Sequence, residues 1–126
     1  MSTFKVLQIH LSNAMCDQVN ELGREVALAT IPKYNAEFSV MHGTRESGYD
    51  GGSKAYLPEF FEYYKHVATV EASDLEHVFH LMNCGNDEGK VTRHAATHSL
   101  SVGDIVIDES DERFIVDPIG FESLGA

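Results

Sequence analysis

The chain is short of positive charge: nine Lys and Arg stand against 20 Asp and Glu, a formal net charge of −11 over 126 residues. Such a balance repels a phosphate backbone and argues against direct nucleic-acid binding. Cysteine is scarce as well. Two cysteines, Cys16 and Cys84, cannot build the disulfide framework of a small secreted domain, so a reducing, cytoplasmic setting is expected. No basic segment leads into an apolar one as in a secretory leader. Nowhere does an apolar run approach the roughly 18 residues that a membrane-spanning helix needs. Internal repeats are absent, and so are a Gly-x-Ser-x-Gly elbow and a phosphate loop. Gly51-Gly52-Ser53-Lys54 lacks the Gly-Lys-Ser/Thr ending and reads as a connector.

What remains is enough apolar sequence, 43% of residues, for one domain over 1–126 with its own core. Phe4, Val6, Leu7, Ile9 and Leu11 alternate imperfectly with polar residues and predict a strand over about 3–11. Ser12 or Asn13 can cap a helix that carries Met15, Val19, Leu22 and Val26 on one stripe and ends no later than Pro32. Gly23 falls inside that helix at a cost of about 1 kcal/mol. Periodicity fades over 35–54, which reads as a long, candidate mobile loop. The aromatic cluster Tyr56, Phe60, Phe61, Tyr63 and Tyr64 reads as core packing rather than a stacking platform for bases.

Residues 64–72 predict a second strand. Ser73-Asp74-Leu75-Glu76 then matches a capping box, with Leu75, Val78, Phe79 and Met82 on the inner face of the helix and Gly85 at its end. Residues 103–109 and 113–119 form a hairpin whose tip, Asp108-Glu109-Ser110-Asp111-Glu112, is acidic, with Pro118 ending its second strand. The order β-α-loop-β-α-β-β predicts an α+β fold: a mainly antiparallel sheet of about four strands with two main helices on one face.

The charge is uneven. Residues 1–70 hold eight acids and six bases, whereas residues 71–126 hold twelve acids and three bases, so the second part carries −9 of the total. Asp104, Asp108, Glu109, Asp111 and Glu112 are therefore the candidate surface for a basic partner. The tip lacks the spacing of a twelve-residue calcium loop. A separate constellation, His80-x3-Cys84-x9-His94-x3-His98, offers four nitrogen and sulfur ligands suited to tetrahedral zinc. It lacks a paired-cysteine knuckle. No cofactor is expected; a zinc module or metal-dependent enzyme on those four residues is the alternative, and a structural or virion-associated module is another.

Residues 63–124 carry a recognisable sequence: Val67-Ala68-Thr69-Val70, Leu75-x-x-Val78-Phe79-x-x-Met82-Asn83, then His98-Ser99-Leu100-Ser101-Val102-Gly103-Asp104-Ile105-Val106, and Phe114-Ile115-Val116-Asp117-Pro118-Ile119-Gly120-Phe121. This order resembles YodL-like small domains and related uncharacterised proteins of bacteriophages, including cyanophages, and other mobile elements. The resemblance implies a phage or mobile-element origin rather than a chemistry. His98, Ser99, Ser101, Gly103, Asp104, Gly120 and Phe121 of the motif read as turn and core residues. The expected function is a non-enzymatic accessory protein in the host bacterial cytoplasm that binds a basic host or phage protein.

Overall fold

A computed structural model describes residues 2–83 and 89–126. Strand β1 (Ser2–Gln8) lies inside a six-stranded antiparallel sheet, between β2 (Lys65–Ala72) and β4 (Ile105–Ile107). The remaining strands are β3 (Val91–Arg93), beyond β2, and β5 (Arg113–Val116) and β6 (Phe121–Gly125), beyond β4, giving the order β3-β2-β1-β4-β5-β6. The α+β class is as expected, with six strands rather than about four. The expected two helices on one face give way to helical cover on both: residues 75–83 pack on the side of Val6 and Val106, while residues 32–42 pack with Tyr56, Phe60 and Tyr64 toward the other. β3 is a three-residue edge strand in a polar stretch, too short to show alternation, and β6 follows a Pro-Ile-Gly turn that reads as the end of the hairpin.

Register assigns the two faces. Val6 opposes Ala68 on β2 and Val106 on β4, so these side chains share one face; Leu7 opposes Ile105, which opposes Ile115, and these share the other. The first face is covered at β1 and β2 by α4 (Leu75–Asn83), whose Val78, Leu81 and Met82 pack on Phe4, Val6, Ala68, Val70 and Ala72. Across the sheet, two 3-10 turns (Gly52–Lys54 and Pro58–Tyr63) bring Tyr56, Phe61 and Tyr64 onto Leu7, Ile105 and Ile115. The aromatic cluster is core, as its composition suggests. On the α4 side a step is left where Glu76 and Phe79 stand across from Val116 and Phe121.

The N-terminal helical region departs from expectation in three places, the first being that its stripe of Met15, Val19, Leu22 and Val26 holds no buried residue, with Leu22 and Val26 exposed. Ser12 Oγ accepts the Met15 N–H at 3.1 Å and starts α1 (Asn13–Leu22), as its sequence suggests. Gly23 then adopts φ +84, a conformation that ends the helix rather than continuing it, and α2 (Arg24–Thr30) restarts beyond. Pro32 opens a third helix, α3 (Pro32–His42), in its first turn. Residues 35–42 of the expected loop are therefore helical. Their buried side chains, Ala36, Ser39 and Val40, include one short and one polar residue, which leaves no apolar period to read.

On α4 the capping box is displaced by one residue. Asp74 Oδ1, not Ser73, accepts a helix N–H, that of His77 at 2.8 Å, and His77 Nδ1 accepts the Ser73 N–H at 3.0 Å. The buried face differs as well: Leu81 is buried, while Phe79, expected inside, is 42% exposed. Gly85, the expected helix stop, lies outside the described residues.

Candidate functional site

The step beside α4 is a groove. A cavity of about 280 Å³ is lined by Glu76, Phe79, Val116, Asp117, Pro118, Gly120 and Phe121. A shallower depression of about 500 Å³ shares Glu76, Gly120 and Phe121 with it and continues along Phe4, Asp74, Leu75, Asp108 and Phe114. The walls are aromatic because Phe79 of α4 stands across from Phe114 of β5 and Phe121 of β6. Val116 pairs with Phe121 and Phe114 with Ser123 there. Four carboxylates rim this apolar lining, from Asp74, Glu76, Asp108 and Asp117, and no Lys or Arg lines it among the described residues.

Three of the four carboxylates are engaged in holding the backbone. Asp74 caps α4. Asp108 Oδ1 accepts the N–H groups of Ser110 at 2.8 Å and Glu112 at 3.0 Å, shaping the hairpin tip. Asp117 accepts Ser53 N–H at 2.7 Å on Oδ1 and Ser53 Oγ–H at 3.0 Å on Oδ2, tying the β5–β6 turn to the first 3-10 turn. A Cβ at Gly52 would stand 2.3 Å from Asp117 Oδ1, so glycine is needed for this approach. The glycine-rich connector thus serves as a clamp under the groove. Glu76 has no such duty among the described residues: it sits one helical turn before Phe79, on the same side of α4.

Of the acids expected to form the partner surface, Glu109 and Asp111 are exposed at the tip, and Glu112 is half-buried with Oε2 accepting from Ser123 Oγ at 2.5 Å. Asp104 does not belong with them. It is only 5% exposed and lies in a polar knot at the other end of the sheet. Its position immediately before β4 turns it inward, whereas composition alone groups it with its acidic neighbours.

Gln8, fully buried at the end of β1, organises that knot. Its Nε2 donates to His98 O at 3.0 Å and to Asp104 Oδ2 at 3.0 Å, while its Oε1 accepts the His98 N–H at 3.2 Å and His10 Nε2–H at 2.8 Å. The amide is saturated, and its partners fix which end is oxygen. His10 therefore carries its proton on Nε2. His98 Nδ1 lies 2.7 Å from Ser99 O, which requires the Nδ1–H tautomer. Asp104 Oδ2 also accepts the Ser101 N–H at 2.9 Å, so any proton on this carboxyl sits on Oδ1.

Burial pushes the Asp104 carboxyl up to about 7, against the opposing pull of the Ser101 N–H, His98 and Gln8. Burial holds His10 below its ordinary value, with His98 adding repulsion, and raises Glu37 on α3 above its own. Tyr64 O–H donates to Gly103 O, Ser101 Oγ donates to Ser99 O at 3.0 Å, and Asn83 brackets Leu100 with bonds of 2.6 and 3.1 Å. Gly103, at φ +94, would place a Cβ 2.7 Å from Val40. Gly120, also at positive φ, turns the chain into β6, where Phe121 packs against the core. The side chains of His98, Ser101 and Asp104 and the Ser99 carbonyl thus have local structural partners. Gln8 and Asn83 escape sequence reading, since nothing in a local pattern marks a polar residue that bonds a loop some 90 or 17 positions away.

The candidate zinc ligands are separated in their engagements. His94 Nε2 shares the Thr69 hydroxyl at 2.8 Å beside His66, His98 lies in the knot, and His80 is on α4. Cys84 is outside the described residues. Among the described residues no group of three or more His, Cys, Asp or Glu side chains is placed to hold a metal ion. No described helix is long and apolar enough to cross a membrane. No family model, curated protein or solved structure matches the chain.

Proposed function

We propose that this chain is a phage or mobile-element accessory protein of the YodL-like kind, acting in the host bacterial cytoplasm by binding a basic segment of a host or phage protein. The observation that carries this reading is the groove beside α4, where aromatic side chains lie within a rim of carboxylates with no Lys or Arg among the described lining residues. An apolar lining contributes affinity through burial, and the surrounding acids hasten encounter with a basic partner and set its orientation. The exposed Glu109 and Asp111 extend the same negative field beyond the groove. A non-enzymatic role accords with the engagement of Asp104, His98 and His10 in holding loops together.

Parallel affinity capture from host lysate tests the reading, with wild type beside a Glu76→Lys/Phe79→Ala variant at low and moderate salt. A basic protein retained by wild type, lost on the variant and weakened by salt is expected. Equal recovery on both baits, or recovery of no basic protein at either salt concentration, would contradict it.

A further inference from the structure

We propose that the end of the groove between α4 and the β5–β6 turn is a pocket for one arginine side chain of the partner, with Glu76 and Phe79 as its recognition residues. This rests on the basic-partner reading above and narrows it to a particular side chain. The cavity of about 280 Å³ can admit one long side chain, and its wall carries two aromatic rings, Phe79 from α4 and Phe121 from β6. Phe79 is 42% exposed although it belongs to the helix that covers the core, so its ring is available to a ligand. Glu76, one turn earlier, contributes the carboxylate that is not engaged in capping or clamping among the described residues.

A planar guanidinium satisfies both features at once. It can stack on a ring face while its N–H fork meets the carboxylate edge-on, whereas an ammonium is a more strongly hydrated point charge that stacks less well. The chain already uses this pairing elsewhere: the Arg113 guanidinium stands 3.7 Å from the Phe61 ring centroid, and that of Arg24 5.2 Å from Phe38. The pocket wall is held from both sides, by the Asp74 cap on α4 and by the Asp117–Ser53 clamp under the β5–β6 turn. An arriving arginine therefore meets groups already in place. The carboxylate at the wall also disfavours a peptide bearing an acidic residue at that position.

The test is a pair of NMR titrations of the full chain with N-acetyl-arginine amide and N-acetyl-lysine amide, followed by short peptides that differ only in one Arg or Lys. Arginine is expected to shift the signals of Glu76, Phe79, Gly120 and Phe121 and to bind about three- to tenfold more tightly than lysine. Phe79→Leu should remove that preference while leaving weak basic binding, and Glu76→Gln should weaken both ligands. Equal binding of Arg and Lys peptides in the groove would overturn the arginine pocket and leave the basic-partner reading standing. If neither basic peptide shifts any groove signal, both fall. The spectra of each variant show directly that it is folded.

Discussion

Asp74 Oδ1 accepts the backbone N–H of His77 at 2.8 Å, and this bond decides which carboxylate faces the groove. Were Ser73 the cap, Glu76 would fold back onto the helix start as its reciprocal partner. With Asp74 in that role, His77 supplies the return contact to Ser73, and Glu76 stands beside Phe79 on the groove wall.

Stability separates these two neighbouring acids. Asp74→Ala is expected to lose about 1 kcal/mol in urea unfolding, the usual worth of an N-cap. Glu76→Gln should stay within about 0.5 kcal/mol of wild type, as for a surface change that breaks no bond. Equal destabilisation by the two variants would contradict the cap assignment.

Gln8→Leu removes four hydrogen bonds from one buried side chain and leaves the Asp104 carboxyl and the His98 backbone with orphaned groups. A loss of about 2–4 kcal/mol is expected, more than for a typical polar-to-apolar change, since the partners remain buried. Chemical denaturation of the variant measures it.

Asp104 gives the knot a definite pH dependence. Its carboxyl titrates near 7 when folded and near 3.8 when free, so between these values the folded chain holds a proton that the unfolded chain has released. This contribution stabilises the fold at low pH and is lost as pH rises through about 7. His10, held below its ordinary value of 6.5, contributes in the opposite sense, costing stability as pH falls through 6.5. Asp104→Asn keeps an acceptor for Gln8 and Ser101 and isolates the first effect. The stability difference between this variant and wild type should therefore shift in favour of the variant as pH rises from 4 toward 7 and level off above. A difference that does not change with pH would contradict the buried, raised carboxyl.

The hairpin tip divides its acids by task. Asp108→Ala removes the acceptor of two backbone N–H groups and should cost about 1 kcal/mol. Glu109→Gln, at an exposed position with no side-chain bond among the described residues, should leave stability within about 0.5 kcal/mol. Its expected effect is a slower association with a basic partner at low salt, read by stopped-flow mixing.

The parts of the fold visible in the sequence are those where a local pattern and a tertiary role coincide. The alternation of Phe4 and Val6, the Ser12 cap and the acidic hairpin at 108–112 are such cases. Helix α3 was hidden because its buried face uses Ala36 and Ser39, whose small or polar side chains give no hydrophobic period. Gly23 ends a helix where composition suggests only a weak point inside one, since the choice between the two depends on how α2 packs beyond it. The groove is scarcely legible: of its acids only Asp108 belongs to the conspicuous acidic run, while Asp74, Glu76 and Asp117 are scattered, and its aromatic lining joins Phe4, Phe79, Phe114 and Phe121, which only the sheet order and the register of α4 bring together. Asp104 shows the converse, an acid that composition places on the surface and topology buries.

The most direct measurement is an NMR titration of the full chain with a short peptide carrying alternating leucine and arginine, repeated at rising salt. Shifts concentrated at Glu76, Phe79, Gly120 and Phe121 are expected, with a dissociation constant that rises with salt and rises again in Glu76→Lys. Shifts confined to the exposed hairpin tip, or none anywhere on the groove, would contradict it.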